Sequence, residues 1–83
     1  MHEYSLVQAM FDQIGGVIDT QRAVAVHRVR VRIGACAGVD PVLFRTAYEV
    51  YRVRTPCAAA PLDIVDAGAT DELTLDQLEL EVP

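Results

Sequence analysis

The sequence predicts an α+β fold in which two helices pack on one face of a small three-stranded sheet, in the chain order α-β-α-β-β. Three observations carry this prediction. Apolar residues recur at helical spacing near the N-terminus, a segment of alternating valine and arginine follows, and an Asp-Pro step then opens a second helical stripe that gives way to further alternating segments.

Leu6, Val7, Met10, Phe11, Ile14, Val17 and Ile18 fall three or four residues apart, with Glu3, Gln8, Asp12, Gln13 and Asp19 largely between them. This is an amphipathic first helix over residues 4–19. Gly15-Gly16 weakens its last turn. Val29, Val31 and Ile33 then alternate with Arg28, Arg30 and Arg32, which reads as a half-buried strand over residues 24–33. His27 has the parity of the apolar face, so it is expected at the edge of the core rather than as a metal ligand.

Residues 34–39, Gly-Ala-Cys-Ala-Gly-Val, form a loop. Asp40 offers an N-cap side chain and Pro41 suits the first helical position, where no N–H is needed. Leu43, Phe44, Ala47, Val50 and Tyr51 make the stripe of a second helix over 41–53, stopped by the Thr55-Pro56 step. Leu62 and Ile64 alternate with Asp63 in a short second strand, and residues 66–71 are turn-like. In the last segment Leu73 and Leu75 share one parity, while Leu78, Leu80 and Val82 share the other. One regular strand cannot face both sets inward, so a bulge is expected near Asp76-Gln77. Glu79 and Glu81 form an acidic row that would pair across strands with Arg28, Arg30 and Arg32 on a solvated face.

Composition narrows the function. The 83 residues suit one domain, 1–83, and 52% hydrophobic residues suffice for one core. A net charge of −5 gives no electrostatic reason to bind nucleic acid or an anionic membrane. No apolar run approaches the ~20 residues that span a bilayer. The first residues lack a signal peptide's basic and apolar regions, so a cytoplasmic location is expected. Cys36 and Cys57 form no CxxC pair and read as free thiols.

The chain is not expected to be an enzyme. It has no glycine-rich phosphate loop, its histidines are His2 and His27, and Ser5 lies too close to His2 for a triad. What remains is the N-terminus. The α-amino group of Met1, the backbone nitrogen and imidazole of His2, and the Glu3 region can close chelate rings around one ion. Nitrogen-rich tetragonal or square-planar coordination suits Ni(II) or Cu(II). Binding would release protons and weaken as pH falls.

Met1-His2-Glu3-Tyr4-Ser5-Leu6-Val7 resembles the N-terminal signature of the HypA/HybF family, nickel metallochaperones of nickel–iron hydrogenase maturation. Val29–Gly34 resembles the family's first strand, and Leu43–Tyr48 sits where it has its second helix. Residues 60–64 and 71–82 resemble the strands flanking its zinc domain. The resemblance implies an α/β nickel domain, with Met1 and His2 as Ni(II) ligands and Glu3 adjacent. It implies partners in metalloenzyme maturation, a nickel-handling GTPase or a hydrogenase large subunit. It also exposes a departure. The family holds Zn(II) with two CxxC pairs, four thiolates, whereas here residues 66–71 form a short turn with no cysteine, so no zinc subdomain and no zinc are expected. Nickel delivery is the leading expectation. The alternative is a zinc-less interaction or scaffold module. A strained hairpin at 66–71 would favour strand exchange between two copies, hence a homodimer.

Overall fold

The computed structural model describes residues 2–83. β1 (Ala25–Ile33) is the central strand of a three-stranded sheet of order β2-β1-β3. β2 (Leu62–Asp66) pairs parallel with it and β3 (Leu73–Glu81) antiparallel. The helices α1 (His2–Gln21) and α2 (Pro41–Tyr51) complete the predicted order. α2 is the crossover between the parallel strands β1 and β2, the arrangement such pairs require.

The two ladder edges of β1 explain its sequence. Val26, Val29, Val31 and Ile33 are buried toward the helices, with Leu80, Leu78, Leu75 and Leu73 opposite them on β3. Two bulges keep these rows in phase. Asp76 is the extra residue on β3, between the pairs Arg30–Gln77 and Val31–Leu75, as the out-of-phase leucines require. His27 is the extra residue on β1, between Val26–Leu80 and Arg28–Glu79. The second bulge overturns the parity expected for His27. It lies on the solvated side, 57% exposed, with Nε2 2.8 Å from Glu81 Oε1.

The outer sheet face is an ion-pair lattice, but with partners only partly anticipated. Glu79 lies 3.6 Å from Arg28 as expected, whereas Glu81 meets His27. Arg28 instead donates to Asp63 at 2.9 Å, Arg30 lies 3.7 Å from Asp63, and Arg32 donates to Glu72 at 3.1 Å. The Arg28 hydrogen bond holds the Asp63 carboxyl below its ordinary range. The parallel neighbour β2 brings Asp63 into the arginine row, and sequence alternation alone did not specify that neighbour.

α1 is longer than its spacing suggested. It begins at His2 and runs through Gly15-Gly16, where a Cβ would meet nothing, to Gln21. It stops in a Schellman turn: Ala23 N–H donates to Ile18 O and Arg22 N–H to Asp19 O. Arg22 takes the left-handed conformation (φ 54°) usually left to glycine, so no glycine signalled this end.

α2 begins as predicted. The Asp40 side chain accepts from Val42 N–H at 2.9 Å, and Pro41 follows. It ends at Tyr51, two residues before the predicted boundary. Its buried face is Phe44, Ala47 and Tyr48, while Leu43 and Val50 are exposed. The stripe is thus rotated slightly from the predicted one, because Tyr48 turns inward to donate its hydroxyl to Ala60 O at 2.7 Å. Arg52 donates to the same carbonyl, which fixes the approach to β2.

The segment between β2 and β3 is not the hairpin that strand exchange was expected to exploit. β1 lies between the two strands, so residues 67–72 cross in front of its end. Gly34, Ala35 and Cys36 donate backbone N–H groups to Glu72, Gly68 and Thr70 carbonyls, each at 2.8 Å, and Ala67 N–H donates back to Ile33 O. The Asp66 carboxylate accepts from Gly68 N–H at 2.7 Å, an Asx turn that ends on Gly68, whose φ is positive. This crossover passes so close that a Cβ on Gly34 would overlap the Thr70 carbonyl and hydroxyl. Gly34→Ala should therefore cost about 1–3 kcal/mol. The check is a urea unfolding series, and an unchanged midpoint would show that the crossover can yield.

Candidate metal centre

His2 and Glu3 open α1, and the structure places them very differently. The His2 side chain is 60% exposed, whereas that of Glu3 is only 12% exposed. Glu3 shares the buried stripe of α1 with Val7, Met10 and Ile14. This corrects its assignment to the polar positions between apolar ones. The spacing 3, 7, 10, 14 was readable, and an acid on such a stripe signals a partner waiting across the core.

That partner is the start of α2. Glu3 Oε2 accepts from the Asp40 backbone N–H at 3.2 Å. One carboxylate therefore sits in the first turn of α1 and just ahead of the first turn of α2, where both helix dipoles favour negative charge. On the other flank Tyr4 packs against Tyr51 with ring centroids 6.2 Å apart, and Phe11 stacks on Tyr48 at 5.6 Å. The first turn of α1 is thus anchored to α2 at two points, with His2 left at the surface beside the anchor, its Nδ1 3.9 Å from Glu3 Oε2.

The backbone supplies what the side chains do not. The leading N–H groups of a helix have no intrahelical acceptor, so nitrogens at the start of α1 are not committed to the helix ladder. Among the described residues no three His, Cys, Asp or Glu side chains converge on one point. The donor side chains at the start of α1 are the His2 imidazole and, 3.9 Å from it, the Glu3 carboxylate. Met1, the third residue assigned to the site, lies outside the described residues. His27 and its Glu81 partner sit at the far end of α1, beside Val24, and do not join His2. Cys36 is exposed in the loop after β1. Cys57 is buried, and that burial pushes its thiol pKa up, away from reactivity.

The sequence is similar to known proteins. It matches the family described as "Hydrogenase/urease nickel incorporation, metallochaperone, hypA" over residues 1–75. The chain belongs to the HypA family. The hydrogenase maturation factor HypA of Shewanella oneidensis is 33% identical over 90 residues, covering 100% of this chain and 76% of that protein. The HypA of Shewanella baltica is 36% identical over 64 residues, 77% of this chain and 55% of the relative. The chain thus spans little more than half of the latter's length. The solution structure of the nickel metallochaperone HypA from Helicobacter pylori superposes with a TM-score of 0.88 over 98% of both chains, at 23% identity, a likeness of fold. A second HypA solution structure gives a TM-score of 0.69 at 30% identity, over 93% of this chain and 71% of that one. Two helices on a three-stranded mixed sheet are therefore the family's own architecture. No helix among the described residues is long and apolar enough to cross a membrane.

The anchor gives a direct expectation. Glu3→Ala leaves the Asp40 N–H without its acceptor and should cost about 1–2 kcal/mol in chemical unfolding. Glu3→Gln keeps an acceptor oxygen and should lose much less. Equal losses in the two variants would mean that the contact with Asp40 contributes little.

Proposed function

We propose that this HypA-family chain binds Ni(II) as cargo at the N-terminus of α1, through the Met1 amino group, the His2 imidazole and main-chain nitrogen. The observation that carries this reading is the contrast between an exposed His2 imidazole and a Glu3 carboxylate committed to Asp40. The carboxylate builds the site and the nitrogens hold the ion. Glu3 thus sits beside the metal as a support, with its own backbone available.

A cation at a helix N-terminus opposes the macrodipole by about 0.3–1 kcal/mol. Ionisation of a coordinated amide nitrogen cancels cation charge, and the Glu3 carboxylate, 3.9 Å from His2 Nδ1, offsets the remainder. A surface site with few protein ligands suits ion delivery, because a recipient can add its own donors before this chain lets go. The recipients proposed are proteins of hydrogenase maturation, the process for which the relatives are named. The chain's two cysteines cannot by themselves supply four thiolates, so nickel handling is proposed without a tetrathiolate zinc site. Residues 1–83 are proposed to work as one unit closed by the crossover.

Nickel titration of untagged protein tests this by calorimetry. The wild type and His27→Ala should each bind one equivalent. His2→Ala should bind at least about tenfold more weakly, since loss even of outer-shell partners costs 10–100-fold in metal affinity. Affinity should fall on acidification as protons compete for the nitrogens. Equal stoichiometric binding by wild type and His2→Ala would remove His2 from the site.

A further inference from the structure

We propose that the outer edge of β3 receives a β-strand from a partner protein, one whose side chains alternate apolar and cationic. β3 is an end strand of nine residues, with β1 on one side and, among the described residues, no strand on the other. The opposite end strand, β2, has five residues, and the Leu62 carbonyl within it is already taken by the Arg45 guanidinium at 2.8 Å. The two ends of the sheet are therefore unlike, and β3 is the one left open to main-chain pairing.

The side chains along that edge select the visitor. On the helix side, an open groove of about 390 Å³ runs between α1 and β3, lined by Val17, Gln21, Leu75, Leu78 and Leu80 among others. Leu75, Leu78 and Leu80 are only partly buried, so the core ends before the groove is filled. A strand added to β3 would send every second side chain into this space. On the opposite face β3 presents Glu79 and Glu81, each more than half exposed. From Thr55 to Pro83 the sequence contains no Lys or Arg. The structure already displays the kind of strand that fits. On its inner side β3 holds Arg28-Val29-Arg30-Val31-Arg32, valines against leucines below and an arginine against Glu79 above. The outer flank offers the same two rows: Glu79 and Glu81 are paired toward β1, with Arg28 and His27, and among the described residues no strand lies on their other side. A second copy of β3 is the poorer occupant, because it would set one acidic row against another.

The Asp76 bulge interrupts this edge, so pairing centres on the segment 77–81, where the groove lies. The probe is a seven-residue peptide of alternating valine and arginine, with a control of the same residues arranged in two blocks. Binding is followed by anisotropy and by backbone amide spectra of the full chain. The alternating peptide should bind at least about tenfold tighter than the block peptide, and perturb Gln77–Glu81 together with Val17 and Gln21. Replacing Glu79→Lys and Glu81→Lys together should weaken it by about tenfold or more, each pair turning from attraction to repulsion. Val17→Arg, which plugs the groove from α1, is the second variant and should do the same. Equal affinity for the two peptides, perturbations centred on β2 or α2, or peptide-free dimerisation through β3 seen by light scattering would each overturn the proposal.

Discussion

β1 makes both ladders of the sheet, and the placement of every other element follows from that constraint. A strand with neighbours on both sides, helices on one face and water on the other must alternate strictly, and the valine–arginine alternation of residues 28–33 meets the demand. The paired bulges at His27 and Asp76 belong to the same constraint. Each shifts the β1–β3 register by one residue, and together they cancel, so that Ala25–Glu81 and Ile33–Leu73 close the two ends of one ladder. Without them one end would turn its leucines to solvent.

Much of this was legible in the sequence because the responsible patterns are local. The spacing of Val7, Met10 and Ile14, the Asp40-Pro41 start of α2 and the phase change around Asp76 can each be read from a few neighbouring residues, and each holds in the structure. What escaped was set at a distance. The bulge at His27 depends on where β3 runs out of register. The pairing of Arg28 with Asp63 depends on β2 lying parallel at the far side of β1. The crossover at 67–72 looks like a hairpin turn until the strand order is known. Arg22 in a left-handed conformation carries no signature, because the Schellman bonds from Arg22 and Ala23 hold it there against its own preference.

The candidate site divides in the same way. The chelate chemistry and the family resemblance together single out His2 as a candidate, and the structure leaves its side chain exposed at the start of α1. The role of Glu3 needed the tertiary fold. Its carboxylate spans the gap between two helix starts and ties the first turn of α1 to Asp40. A terminus would otherwise fray. Here the buried Glu3 and the Tyr4–Tyr51 contact hold residues 2–4 of the first turn against α2.

Nickel binding is proposed to rest on nitrogen donors at the first turn of α1. Backbone amide spectra of untagged protein, recorded as one equivalent of Ni(II) is added, test that most directly. The signals of His2, Glu3 and Tyr4 should shift or vanish first, with Asp40 following because its N–H donates to the Glu3 carboxylate, while His27 and Cys36 stay unchanged. Perturbation centred on Cys36, or on the His27–Glu81 pair with the first turn undisturbed, would contradict it.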